Sequence, residues 1–418
     1  MKKFMNTFAS TALMLLATLS PIFSAVSLAQ AADEREPAES ILARFPACVS
    51  ELKQKATRAG VSPVAANRIL DQVEFLPKVI EYDRRQPEFS STFARYLELR
   101  VSETRLEKGK ELYKKHRLLL NRLTKEYGVP GRYLVAFWGL ETNYGGYMGK
   151  MSAPSALATL ACDKRRSKFF TSELITALKL ADTHGFDIDK MEGSWAGALG
   201  HTQFMPSNYA RYGLDGDGDG VVDLWGSYVD ALTSAAYFLQ SLGWERGARW
   251  GREVLLPDDF SWQEAGRKNR KPVSAWRDMG VRRANGNLLP AIDDMDGAIV
   301  VPAGHQGPAF LAYKNFNVIM GWNRSEYYAI SVGHLADRIA GAPELVRQPP
   351  ADAPRLSRAQ SKLMQENLNA MGFNAGTPDG IIGSGTRAAI AQFQISKGWI
   401  GDGFTSKQVV DALTAPKL

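Results

Sequence analysis

The 418-residue sequence predicts a mainly α-helical protein, with one large helical domain followed by a small helical module. Three observations carry this. Apolar residues recur at helical spacing over several long stretches, and alternating strand patterns are scarce before Val254. A proline-bearing segment at 343–356, with Pro349, Pro350 and Pro354, then divides a short helical tail from the rest.

From the amino terminus, Lys2 and Lys3 precede an apolar run from Ala9 to Leu28 that closes on Ala29-Gln30-Ala31. This pattern reads as a secretory signal peptide over 1–31. The alternative is a membrane anchor, but Ser20, Pro21 and Ser24 interrupt the run. No cysteine stands at the cleavage point, so a lipoprotein is not expected, and no later segment is apolar for long enough to span a bilayer. Two cysteines remain, Cys48 and Cys162. In an oxidising compartment they can pair, and two buried free thiols are the alternative. Formal charge is 51 − 44 = +7, and +5 without Lys2 and Lys3. This suits an anionic partner. Export excludes nucleic acid, and a cell wall with its peptide carboxylates fits better.

Helical patterns run from Pro46 to about Gly60, from Arg105 to Tyr127, from Lys168 to Asp182 and from Val229 to Leu242. Residues 37–342 therefore read as one domain, 343–356 as a linker and 357–415 as a module. In the module Met364, Leu368 and Met371 share a helical stripe that Gly372 stops, and Asp379-Gly380 marks a turn. Thr386 can start a second helix with Ala389, Ile390 and Phe393 facing inward.

The sequence holds no G-x-S-x-G, HExxH or CxxC, and its five histidines are scattered. The segment from Pro130 to Gly145 stands out. Pro130 suits a helix start, and Leu134, Phe137 or Trp138, and Glu141 fall on one face. A carboxylate behind an apolar stripe enters a partly dry environment. That raises its pKa, as a general acid requires. A glutamate held in an internal salt bridge is the alternative. The second segment, Gly193 to Tyr209, is rich in glycine and hydrogen-bonding side chains. Ser194 and Gln203 can bond sugar hydroxyls or an N-acetyl group, unless the stretch is only a tight packing loop.

Together the two segments resemble the B-type lytic murein transglycosylases. The likeness rests on Gly139-Leu-Glu141-Thr-Asn-Tyr-Gly145, Gly193-Ser-Trp-Ala-Gly-Ala-Leu-Gly and Gln203-Phe-Met-Pro206-Ser. It continues through Ala158 to Arg166 and Phe316 to Ser325. It implies a lysozyme-like helical catalytic domain with added subdomains, periplasmic and monomeric. Glu141 would be a single acid/base, cleaving between N-acetylmuramic acid and N-acetylglucosamine to leave 1,6-anhydro ends. No cofactor is needed for that chemistry. Ser194, Gln203, Tyr237 and Asn323 match cleft positions, and Arg165 and Arg166 match positions near the stem peptide. Trp322 stands where some members carry Tyr, so a stacking role is expected there.

The run Asp215-Gly-Asp217-Gly-Asp219-Gly220-Val221 resembles the first half of an EF-hand loop, with Asp230 matching the family's closing carboxylate. It implies structural Ca²⁺, with a metal-free Asp-Gly turn as the alternative. The final module, through Gln365, Asp379-Gly380, Gly383, Thr386 and Phe393-Gln394, resembles a three-helix peptidoglycan-binding domain. Peptidoglycan strands and stem peptides are thus the expected partners, with cell-wall synthesis or division machinery as possible company. The rival readings are a hydrolytic muramidase on the same fold and a non-catalytic wall-binding protein.

Overall fold

Short polar side chains set many of the helix starts. Ser62, Ser102, Ser152, Ser227 and Ser325 each accept a first-turn backbone N–H through the hydroxyl oxygen. Each thereby satisfies a donor that a helix terminus leaves unpaired. The computed structural model describes residues 36–85, 91–184 and 191–415, so the expected signal peptide lies outside the described residues. Seventeen α-helices dominate the described residues.

Two boundaries differ from the sequence reading. The first helix spans Ala38–Arg58 and runs through Pro46. Its buried Ile41, Phe45, Leu52 and Ala56 hold one face against the core, which outweighs the proline's lost N–H. The stretch from Arg105 to Tyr127 is two helices, Glu103–Lys115 and Arg117–Tyr127. His116 leaves helical geometry between them and packs its ring 4.5 Å from that of Tyr228.

Two helical cores meet around the helix Gly131–Thr142. One gathers Leu134, Phe137, Leu239, Phe316 and Leu335 with their neighbours. The other joins Ile41, Leu52, Leu157, Leu174 and Phe204. A disulfide between Cys48 and Cys162 ties the first helix to Ala153–Cys162 across a sequence separation of 114. On a chain-entropy model such a loop contributes about 4–5 kcal/mol.

Strands are short. Met151–Ser152 (β1) pairs antiparallel with Glu192–Gly193 (β2). Gly251–Leu255 (β3), Arg270–Pro272 (β4), Arg282–Arg283 (β5), Asp296–Val300 (β6) and Ala309–Ala312 (β7) form an antiparallel sheet in the order β4-β6-β7-β3-β5. Trp276 and Val273 bury one of its faces.

The C-terminal module is three helices, Arg358–Ala370, Ser384–Ser396 and Lys407–Thr414, around Met364, Leu368, Ile390 and Phe393. Met371, expected on the inner stripe, is 46% exposed, because the helix ends there and Gly372 turns the chain at φ +88°. Thr386 does not start its helix. It sits inside the first turn, buried, and takes a hydrogen bond from Gln365 Nε2 (3.1 Å).

The expected linker is partly clamped. Leu345 is buried, and the backbone N–H groups of Val346 and Arg347 both donate to Glu253 (2.9 Å each). The module also docks on the large domain. Asp402 Oδ2 accepts the His305 backbone N–H (2.8 Å) and lies 2.7 Å from His305 Nδ1, while Phe404 packs against the central core.

Candidate active site

The helix Gly131–Thr142 is more deeply buried than a one-sided stripe implies. Tyr133 through Leu140 are all buried, Phe137 and Trp138 alike. A helix apolar on all sides belongs at the centre of a domain. Glu141 is the first partly exposed residue beyond that run. The chain then turns sharply, with Asn143 at φ 51° and Tyr144 at φ 62°, both left-handed. Such backbone costs about 1–3 kcal/mol per residue and persists where contacts over-determine it. The contacts are here: Tyr144 donates its hydroxyl to the Arg105 carbonyl (2.8 Å), and its ring fills the space beside Gly139. A Cβ on Gly139 would sit 2.7 Å from the Tyr144 hydroxyl, which explains why that turn of the helix carries glycine.

Glu141 Oε1 receives two donors, Trp322 Nε1–H (3.0 Å) and the Tyr328 hydroxyl. Burial pushes the Glu141 carboxyl up to about 7; the Tyr328 and Trp322 bonds and the charge of Arg100 pull in the opposite direction without cancelling it. Burial also raises the Tyr328 hydroxyl well above its usual range, and the Glu141 charge adds to this, so Tyr328 stays a donor. Among the described residues, Tyr328, Trp322 and Arg100 act on the Glu141 charge.

The wall facing Glu141's helix is the Ser194–Gln203 segment. Thr142 Oγ1 donates to the His201 carbonyl (2.8 Å), and Trp138 Nε1 donates to His201 Nδ1 (3.1 Å). The Gln203 side chain donates through Nε2 to the carbonyls of Met148 and Gly200 (3.0 Å each). Its backbone is left-handed, at φ 50°. Ser194 Oγ accepts the N–H groups of Ala196 (3.3 Å) and Ala198 (3.0 Å). Both side chains are thus held by their own loops, which fixes where their remaining hydrogen-bonding capacity points.

Other expected residues fall out differently. Trp322 does not stand free for stacking on a ligand. Its ring packs on Phe137 (4.5 Å), Phe238 (5.3 Å) and Phe204 (5.4 Å) while its N–H holds Glu141. Asn323 braces the turn before the next helix, its Oδ1 accepting the Ser325 N–H (3.1 Å). Tyr237 lies beside Tyr212 (5.9 Å) and Tyr127 (6.1 Å). Arg165 and Arg166, expected to await carboxylates, both pair with the buried Asp83. Asp83 stands 82 residues away in sequence, so no local pattern revealed it. Tyr328 was also missed. The available signal was a tyrosine pair, Tyr327-Tyr328, just past Asn323 and inside a Ser325-capped helix.

A second acidic group lies at residues 215–230. Asp215, Asp217 and Asp230 each bring a carboxylate oxygen within 4.8 Å of the others. Asp219 stands outside this group, its Oδ1 taking the Val221 N–H (2.8 Å), and Val221, 53% exposed, has only its carbonyl to offer. Asp230 returns to the loop despite its spacing. It accepts the N–H groups of Gly216 (2.8 Å), Asp217 (3.3 Å) and Asp223 (2.8 Å). Among the described residues none of the three carboxylates pairs with Lys or Arg, so their mutual repulsion favours a cation with oxygen ligands. Three carboxylates and nearby carbonyls fit Ca²⁺, with a smaller side-chain ligand set than the sequence implied.

A buried helix that ends in one protonatable carboxylate, with a glycine-rich segment packed against it, fits the lysozyme-like class of glycan-cleaving folds. Comparison with known proteins narrows this. Residues 44–337 match the transglycosylase SLT domain, and residues 357–413 match the peptidoglycan binding domain. Membrane-bound lytic murein transglycosylase B of Escherichia coli is 30% identical over 289 residues, covering 65% of this chain and 76% of that protein. The crystal structure of SltB3 from Pseudomonas aeruginosa in complex with NAG-NAM-pentapeptide superposes with a TM-score of 0.85 at 39% identity. It covers 88% of this chain and 99% of that one. Escherichia coli Slt35 in complex with calcium superposes with a TM-score of 0.61 at 28% identity, over 70% and 92% of the two chains. The chain belongs to the transglycosylase SLT family of peptidoglycan lytic transglycosylases and carries a C-terminal peptidoglycan-binding domain.

Proposed function

We propose that Glu141 is the single acid/base of a reaction that cleaves the β-1,4 bond between N-acetylmuramic acid and N-acetylglucosamine. The observation that carries this is the asymmetry of its carboxyl. Both donors, Trp322 and Tyr328, bond Oε1, so the proton rests on Oε2, and burial holds the group near pH 7. Oε2 protonates the linking oxygen as the muramic C1–O bond breaks. The same carboxylate then takes the proton of the muramic 6-hydroxyl while O6 bonds to C1, leaving a 1,6-anhydro end and a regenerated acid. A second carboxylate is unnecessary, because the substrate carries its own nucleophile at high effective concentration. Ser194 and Gln203 orient the sugars from the opposite wall. A relative complexed with NAG-anhNAM-pentapeptide supports this product and a peptide-bearing substrate.

The chain is exported and works in the periplasm, on the reading of its first 31 residues. The Asp215–Asp230 loop holds a structural Ca²⁺ through Asp215, Asp217 and Asp230, supported by the calcium complex of Slt35. Arg165 and Arg166, held by the Asp83 carboxylate, shape the peptide side of the site.

Mass spectrometry of digested sacculi tests the mechanism. Glu141→Gln is expected to lower release of anhydro-muropeptides by roughly 10³-fold or more. Reducing ends alone from the native chain would identify a hydrolytic muramidase. Undiminished digestion by Glu141→Gln would remove Glu141 from the chemistry.

A further inference from the structure

The joint between the large domain and the module holds a cavity that the catalytic reading does not use. Its volume is about 280 Å³. His305 of the large domain lines it, together with module residues that include Trp399, Ile400, Ser406 and Gln408. These module residues lie between helices Ser384–Ser396 and Lys407–Thr414 and in the first turn of the second. The lining takes no residue from Glu141's helix or from the Ser194–Gln203 segment.

The joint is closely fitted beside the cavity. Gly304 has φ +66°, and a Cβ there would stand 2.6 Å from the Phe404 Cβ, so only glycine permits the approach. His305 is held on two sides. Asp402 Oδ2 takes its backbone N–H and lies 2.7 Å from Nδ1, and the Trp262 ring meets the imidazole edge-on at 6.0 Å. A carboxylate only accepts, so Nδ1 carries the hydrogen and Nε2 is left as the acceptor of the ring. Among the described residues Nε2 has no hydrogen-bond partner. Ser406 Oγ accepts the Val409 N–H (3.3 Å), and its own hydrogen remains to donate. Neither the Gln408 amide nor Trp399 Nε1 bonds any described residue. The Trp399 ring is propped edge-on by Phe393 (5.9 Å), and Ile400 beside it is 44% exposed.

We propose that this cavity binds one N-acetylated sugar residue of a glycan strand, and that His305 makes the catalytic domain part of the module's binding site. The lining contains no Lys, Arg, Asp or Glu, which disfavours a carboxylate or a phosphate and suits a neutral ligand. A sugar ring offers an apolar face to Trp399 and Ile400. Its hydroxyls and acetamido group match the donors and acceptors of Ser406, Gln408, Trp399 Nε1 and His305 Nε2. The volume lies near the lower bound of ligand pockets, about 300 Å³, which fits one residue with its neighbours outside. Exposed Gln408 and Ile400 mark the mouth. The match to a peptidoglycan binding domain specifies neither this place nor this ligand. The proposal also stands apart from the role of Glu141.

Fluorine NMR of the full chain labelled with 5-fluorotryptophan tests it. The chain has nine tryptophans, and the resonance lost in Trp399→Phe identifies Trp399. The probes are the β-1,4 tetramers of N-acetylglucosamine and of glucose. The Trp399 resonance is expected to shift saturably with the acetylated tetramer. The glucose tetramer, which lacks the amide, is expected to need roughly tenfold more. Gln408→Ala, an exposed change that leaves the joint intact, is expected to weaken binding at Trp399 roughly fivefold, the worth of one hydrogen bond. His305→Ala is expected to weaken it by at least as much, and His305→Gln, which keeps an acceptor, to recover part of the loss. A Trp399 resonance that stays fixed up to about 10 mM tetramer, where a site with a Kd near 1 mM is filled, overturns the proposal. So does a titration that is the same in the native, Gln408→Ala and His305→Ala chains. Weakening by Gln408→Ala but not by His305→Ala puts the sugar on the module alone and overturns the shared site. Glu141→Gln is expected to leave the Trp399 titration unchanged, so failure of the catalytic reading does not carry over to this one.

Discussion

Glu141 and Asp215 carry the same functional group in opposite surroundings. Glu141 ends a buried helix, and burial raises its carboxyl to about 7. Asp215 sits in an exposed glycine-rich loop, where the backbone N–H groups of Gly220 and Gly218 hold its carboxyl below the usual range. Two donors reach Glu141 as well, yet both fall on one oxygen and do not offset desolvation. At Glu141 the hydrogen bonds oppose desolvation without cancelling it, whereas at the exposed Asp215 there is little desolvation to oppose.

The largest effect expected from breaking this contrast is at Asp230, which anchors the loop with three backbone N–H groups. Asp230→Ala removes a buried carboxylate and its three hydrogen bonds to part-buried N–H groups, and chemical denaturation is expected to show a loss of about 3 kcal/mol. Glu141→Gln comes next and has the opposite sign. A carboxyl raised from 4.5 to about 7 on folding weakens the native state as pH rises through that window. The variant is therefore expected to be more stable than the native chain at pH 8, on the order of 2 kcal/mol, and equal to it near pH 4. Tyr328→Phe removes a bond that lowers the Glu141 pKa. Sacculus digestion is expected to fall roughly tenfold, and the alkaline limb of its pH profile to move upward. An alkaline limb that moves downward would reverse the assigned role. Asp215→Asn is expected to give the smallest change. Its lowered carboxyl contributes stability above the ordinary carboxylate range that is lost as pH falls through the folded pKa. Melting curves of the variant should therefore lose part of their acid dependence below about pH 4. If Ca²⁺ is bound, the same variant loses the rise in Tm that added Ca²⁺ gives the native chain.

The Glu141 helix was legible because its signal is local. Pro130 precedes the start, apolar residues follow, and one carboxylate closes the run. The three-helix module was readable for the same reason, while the Cys48–Cys162 pairing was open in the sequence because its partners stand 114 residues apart. What escaped the sequence depends on ring and side-chain direction across the fold. Trp322 could face a ligand or Glu141, and only its packing on Phe137 and Phe238 turns the N–H inward. Arg165 and Arg166 read as open until Asp83 is brought to them by the helix Pro77–Arg85. The sheet was faint because strands such as Arg282–Arg283 are two residues long and exposed. In the module, Gln365 and Gln394, two residues of the motif by which it resembles a peptidoglycan-binding domain, brace its loops. Gln365 holds Gly380 and Ile381, and Gln394 holds Asp402 and Gly403.

That last brace reaches beyond the module. Gln394 steadies Asp402, and Asp402 grips His305 of the catalytic domain, while Glu253 pins residues 346 and 347. A protease nick within 349–356 would thus cut the chain without separating its halves, and the fragments should travel together on a sizing column. The connecting peptide is a seam in sequence only. The wall-binding module meets its substrate at a set span from Glu141, as one jaw of a caliper and not as a grapple on a rope.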